Sequence, residues 1–249
     1  MNLRGSYWLY SRIVVVTTVL SVALTTCAAQ DKPETTAKTA ETPMYRAGAA
    51  SVHIPAPTND LVEMGSDYRV LMDSFVPASN RLVAAFVLPE TLAGLKMGTK
   101  REPGKYALVE VARRVEFVDL DEDGFKTVVD ASNKQMGGDD VDKIAKNTVE
   151  EIDRKIAASG MGSGKVALDK VVQLGSFFSK HDAYGFGMMM PMSQDGKTVN
   201  MVCGAAILRA NRRLLLGYVY AEYKDEDTVK QVIKATEEWA DAILKANPE

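Results

Sequence analysis

Apolar positions in the first half of the chain fall into short runs. Residues 51–54 and 81–88 are apolar and bounded by prolines and Asn80, which predicts two short strands. Residues 106–118 give the clearest early alternation. Val109, Val111, Val115 and Phe117 share one face, and Glu110, Arg114 and Glu116 share the other. A period of two predicts a half-buried strand with that second set toward solvent. The period then changes. Phe125, Val128, Val129, Ser132 and Met136 recur at helical spacing until Gly137-Gly138. A second helix is expected after an Asp139 or Asp140 cap. Val141, Ile144, Ala145, Thr148, Ile152 and Ile156 would face inward, Lys143, Lys146, Glu150 and Arg154 outward, and Gly160 would end it.

The second half reads as an antiparallel meander. Strands are predicted over 170–179, 183–192, 198–208 and 214–223, with turns at 180–182, at Asp195-Gly196 and at Asn211-Arg212. Asp-Gly is a strong hairpin signal because a type I′ turn needs positive φ. Residues 214–223 are apolar on both faces, which predicts a central strand. The acidic run Asp225-Glu226-Asp227 opens a last amphipathic helix, which Asn247-Pro248 ends. Its inner stripe is Val229, Val232, Ile233, Thr236, Ala240, Ile243 and Leu244. The expected fold class is α+β, an antiparallel sheet with two central helices and a C-terminal helix packed on it.

This order of early strands, middle helices, meander, acidic turn and closing helix with Trp239 resembles the α/β/α sandwich of PsbP-like proteins. It also resembles bacterial exported proteins that end in the same strand, acidic turn and helix. The resemblance implies an extrinsic binding or assembly role. It carries over no functional residue, because it lies in the layout and not in a motif.

The N-terminus adds a destination. Arg4 and Arg12 precede an uncharged run over 13–26, followed by small residues Cys27-Ala28-Ala29 and polar Gln30-Asp31. That is the three-part layout of a secretory signal, and the run is shorter than the roughly 20 residues of a spanning helix. Two processing routes fit residues 1–27. Leu24-Thr25-Thr26-Cys27 resembles a lipobox, with Cys27 acylated, although Thr26 departs from the usual small residue. The other route is cleavage after Ala29. Residues 28–50, rich in Ala, Thr, Lys, Glu and Pro, are expected to be a disordered tether, and residues 51–249 a single domain. The expected location is the periplasm or, through a lipid anchor alone, the envelope membrane.

Charge and cysteine content remove several classes. The chain has 30 Lys and Arg against 33 Asp and Glu, a net −3. Residues 1–27 hold two arginines and no acid, so without them the balance is 28 against 33, or −5. The basic residues are scattered, and a nucleic-acid partner is not expected. Beyond the leader only Cys203 remains, so an intrachain disulfide is not available there.

Candidate chemistry is sparse. Asp119-Leu120-Asp121-Glu122-Asp123-Gly124 matches the start of a calcium loop, with Asp119, Asp121 and Asp123 as ligands and Asp130 at the twelfth position. The competing expectation is a strand end followed by a helix with an acidic first turn, where carboxylates cap free N–H groups. A helix starting near Glu122 would pull these carboxylates off a common centre. Residues 160–165 hint at a phosphate loop, but Ser159 stands at its first glycine position and Val166 replaces the magnesium-binding hydroxyl. Met188, Met190 and Met192 share one strand face, with Met189 opposite. Copper(I) could use such thioethers, with His181 or Met201 assisting, and core packing uses them equally well. His53 and His181 are the two histidines, and Cys203 reads as a buried apolar residue. The chain therefore reads as a non-enzymatic exported envelope protein, a binding or assembly module for an envelope protein or small ligand. The alternatives are a calcium-stabilised binding domain and an envelope enzyme using carboxylate acid–base chemistry.

Overall fold

The computed structural model describes residues 43–65, 72–73, 76–97, 99, 104–136, 146–147, 149–151, 154, 166–168, 171–194 and 197–248. The leader, with Cys27, the 160–165 loop and the Asp195-Gly196 turn lie outside these residues, as does most of the second central helix. Its described positions 146–147, 149–151 and 154 are helical.

Two short strands, β1 (Met44–Ala47) and β2 (Ala50–His53), form a hairpin of their own. The main sheet is antiparallel throughout. It contains β3 (Val62–Glu63), β4 (Asn80–Val87), β5 (Lys105–Ala112), β6 (Val166–Leu168), β7 (Val172–Lys180), β8 (Ala183–Gln194), β9 (Lys197–Ala210) and β10 (Arg213–Glu222). The order is β3-β4-β5-β10-β9-β8, and β6 and β7 both pair with β8, at different stretches of it. The last strand in sequence, β10, thus sits between β5 and β9, as an apolar pattern on both faces predicts. Asn211 and Arg212 make the β9–β10 turn with φ of 47° and 57°, the left-handed pair of a type I′ hairpin.

Three helices are described along their length: α1 (Pro89–Lys96), α2 (Glu122–Met136) and α3 (Glu226–Ala246). Asp225 caps α3, its carboxylate accepting from Thr228 N at 2.9 Å. The fold is α+β, with the sheet between α3 on one face and α2 on the other.

The two faces differ in composition. One carries Ala84, Ala107, Val109, Gly185, Gly187, Gly204, Ala206, Gly217 and Val219. Val232, Ala235, Trp239, Ala240 and Ile243 of α3 pack on it, together with Tyr45, Val52 and Ile54 of the hairpin. The glycines make room. A Cβ at Gly204 would stand 2.1 Å from the Thr236 hydroxyl, and one at Gly185 would stand 2.3 Å from the Phe178 ring. The opposite face carries Tyr106, Leu108, Glu110, Leu216, Tyr218, Tyr220, Met188, Met190, Met201 and Cys203. Leu120, Phe125 and Val128, from α2 and its approach, join that cluster.

Several expectations change. The strand predicted over 106–118 stops at Ala112, because β4 begins opposite it at Asn80 and β10 pairs no farther than Glu110. Residues 113–117 turn instead, and Phe117 is 68 % exposed. Glu110 does not face solvent with Arg114 and Glu116. Layers on both sides of the sheet leave it 0 % exposed. The tether expected over 28–50 includes β1, since Tyr45 and Ala47 bury against the sheet. Helix α1 has no counterpart among the expected elements. Pro89 starts it, at a position where the missing N–H costs nothing.

Candidate functional site

The acidic loop becomes a helix start. Asp119 pairs with Arg213 Nη2 at 2.9 Å and Arg212 Nη2 at 3.5 Å. Asp121 Oδ1 accepts from Gly124 N at 2.8 Å, and its carbonyl accepts from Phe125 N. Asp123 lies exposed in the first turn, its carbonyl accepting from the Thr127 hydroxyl. Asp130 is exposed two turns along α2. The four carboxylates expected as calcium ligands are therefore spread between an arginine pair, a cap and a helix surface. Among the described residues, no three His, Cys, Asp or Glu are placed to hold a metal ion. Gly124 has a local reason: its Cβ would stand 3.0 Å from the capping Asp121 oxygen.

This end of the sheet gathers charge. Asp182 in the β7–β8 turn pairs through Oδ1 with Arg209 Nε at 2.6 Å and through Oδ2 with His181 Nδ1 at 2.9 Å. His181 Nε2 reaches Glu122 of α2 at 3.2 Å. Its pKa is raised, first by the hydrogen bond to Asp182 and its charge, then by Glu122. Leu120 N also donates to Arg212 O at 2.8 Å. These contacts set where α2 starts over the sheet. His53 serves elsewhere: its backbone exchanges bonds with the Asn247 side chain at 2.8 and 2.7 Å, clamping the chain end to β2.

A second constellation lies in the middle of the larger-residue face. Glu110 on β5 accepts from Asn80 Nδ2 at 2.9 Å. Across the register, Leu108 opposes Tyr218, and Tyr106 opposes Tyr220, which opposes Cys203 and then Met188. The rings of Tyr106 and Tyr220 stack at 4.5 Å, and those of Tyr218 and Tyr220 at 6.1 Å. Burial, followed by the Glu110 charge, pushes the Tyr218 phenol up. Burial does the same to Tyr220, helped by Cys203, Tyr106, Tyr218 and Glu110. The Tyr220 side chain bonds the Cys203 thiol. The Cys203 thiol is also pushed up by burial, against a smaller downward pull from Tyr220. It is held as a thiol, which a nucleophile at neutral pH is not. Met188 and Met190 pack in the same cluster, while Met189 points to the α3 side. Neither Glu110 nor the tyrosines stood out in the sequence. The available signals were a lone carboxylate in an apolar run and two tyrosines two residues apart on a central strand.

A third feature is the β7 edge. Residues 172–176 are exposed, with Val172 at 48 % and Leu174 at 38 %. The far end is anchored. Phe178 covers Gly185, and Lys180 bonds Asp241 and Glu237 of α3. No described strand pairs with the outer side of β7. Register shifts fall on both sides of Ser176, and Gly175 takes φ of 86°.

No protein-family model matches the chain, and no curated protein matches it significantly. Two solved structures superpose on it with a TM-score of 0.33 and 10 % identity. One is a mutant of the protein Mog1, over 82 % of this chain and 94 % of that one. The other is the Ran-binding protein Mog1p of Saccharomyces cerevisiae, over 79 % and 87 %. Superpositions of that quality assign neither fold nor function.

Proposed function

We propose that this chain is an exported protein of the bacterial envelope that acts as a binding or assembly module, and that β7 is its docking edge. The leader pattern of residues 1–29 supports export. The observation that carries the docking role is the exposure of Val172 and Leu174 on a strand that has no further strand outside it among the described residues. An open strand edge offers backbone N–H and C=O groups to an extended segment, and alternate side chains read its sequence. Natural edges are usually blunted by charge, proline, bulges or brevity. Here residues 171–179 hold no charge and no proline, and bulges are the protection that remains. Bulges bend the edge and break open-ended sheet growth, yet leave short pairing available. The occupant is an extended, uncharged segment of an envelope protein with alternating apolar residues.

The test uses the protein without its leader on an array of eight-residue peptides. Captured peptides should alternate apolar residues and lack charge, and Leu174→Lys should reduce capture at least tenfold. Capture that ignores Leu174→Lys, or that selects acidic or basic peptides, removes the edge from consideration. Fractionation of cells, with Cys27→Ser as comparison, separately checks export and the lipid anchor.

A further inference from the structure

His181 in the β7–β8 turn stands between two carboxylates. Its Nδ1 lies 2.9 Å from Asp182 Oδ2, and its Nε2 lies 3.2 Å from Glu122 Oε2 on the first turn of α2. A neutral imidazole carries a proton on one nitrogen and a lone pair on the other. With both nitrogens against carboxylate oxygens, that lone pair would face an acceptor. The arrangement therefore belongs to the doubly protonated ring. The other charges nearby are engaged elsewhere. Arg209 of β9 holds the second oxygen of Asp182, Lys180 reaches Asp241 and Glu237 of α3, and Arg212 and Arg213 take Asp119.

We propose that His181 is a proton-operated latch: charged, it ties the start of α2 to the β7–β8 turn, and on losing a proton it releases Glu122 while keeping Asp182. The asymmetry follows from the two partners. Asp182 is fixed twice, by Arg209 Nε at 2.6 Å and through its own carbonyl, which accepts from Arg209 N at 2.9 Å. Its side chain is 21 % exposed, against 67 % for Glu122. The remaining proton stays on Nδ1, whose acceptor cannot turn away, and the Nε2 lone pair is left facing Glu122. Asp182 first, and then Glu122, raise the pKa of His181 above its ordinary 6.5. The tie is thus complete below about pH 6.5 and is lost as pH rises through the higher folded value. Phe125, the first residue of α2 buried on the sheet, lies three residues after Glu122, so release loosens the turn that seats it. Exposed pairs add little to global stability, and the latch therefore sets the order of this helix end while the fold stays intact. It needs no occupant on the exposed stretch of β7.

The experiment follows the ring-nitrogen NMR signals of His181, and amide hydrogen exchange at Gly124 and Phe125, in the protein without its leader from about pH 5.5 to 8.5. Those two amides donate to the Asp121 side chain and carbonyl, so they report the first turn of α2. Above the transition the ring proton should sit on Nδ1. Protection of the two amides, corrected for intrinsic exchange, should fall about two- to fivefold over the same range. Glu122→Gln should lower the His181 pKa and abolish the change in protection, because a side-chain amide pairs with either form of the ring. Three results overturn the proposal. One is a neutral ring with its proton on Nε2. Another is protection that stays constant in the parent, or that falls equally in Glu122→Gln. The last is a loss of protection that extends to β10, which would mark general unfolding.

Discussion

The two faces of this sheet solve packing differently. On the α3 side the floor is made small. Gly204 lies under Thr236, and Gly217 lies under Trp239 with a Cβ-to-ring approach of 3.6 Å. Trp239 is 1 % exposed, stands edge-on to Phe86, and donates from Nε1 to Pro55 O at 2.7 Å. Thr236 bonds back to Val232 O at 2.7 Å, so its hydroxyl has little freedom to give way. On the α2 side the floor is made of tyrosines and methionines, and buried polar atoms remain. The first arrangement is a joint with one geometry. The second trades that uniqueness for adaptable surface. Bulky, flexible side chains against a helix leave a layer that can repack, whereas helix against glycine cannot move without opening a void.

Three substitutions would break or sharpen this contrast. Trp239→Ala should have the largest effect. It removes the biggest fully buried side chain among the described residues and a hydrogen bond that ties α3 to the segment after β2. The expected loss is about 3–5 kcal/mol, read from urea unfolding. Gly204→Ala comes next, at about 2–3 kcal/mol, because its Cβ would enter the Thr236 hydroxyl. Adding Thr236→Ala should recover part of that loss, and a wild-type midpoint for Gly204→Ala alone would show that the joint is looser than drawn. Met190→Leu, on the other face, should cost no more than about 1.5 kcal/mol, despite 1 % exposure. A cost as large as that of Gly204→Ala would erase the difference between the faces.

The same contrast shows why the elements were legible and the candidate sites were not. Helix α3 has an aspartate cap, an apolar stripe and an Asn-Pro stop, all within one segment; the structure follows the cap and the stop, while the buried stripe also takes in Ala235 and Trp239 and leaves Val229, Ile233 and Leu244 half-buried. The Asn211-Arg212 turn and the strands it joins are equally local. Glu110 is different. Alternation along 106–112 separates two faces correctly, but a strand cannot announce that both will be covered. That required β4 and β10 on its flanks, and α2 and α3 above and below. Likewise Asp119-Asp121-Asp123 fits two local solutions, a metal loop and a capped helix. Arg213, almost a hundred residues away, draws Asp119 into an ion pair, and the helix start at Glu122 takes Asp121 as its cap. Val172 and Leu174 read as ordinary strand residues until β7 proves to be an edge.

By itself, then, the sequence determined what short-range physics can determine. That covers the periods of the strands and helices, the turn at Asn211-Arg212, the capped final helix, the α+β class, and a leader-like N-terminus. Tertiary structure alone decided the rest. It put β10 between β5 and β9, buried Glu110, set glycines beneath α3, and left β7 without an outer neighbour among the described strands. The reason is physical: periodicity and capping depend on neighbours within a few residues, whereas burial depends on which distant surfaces arrive on each face.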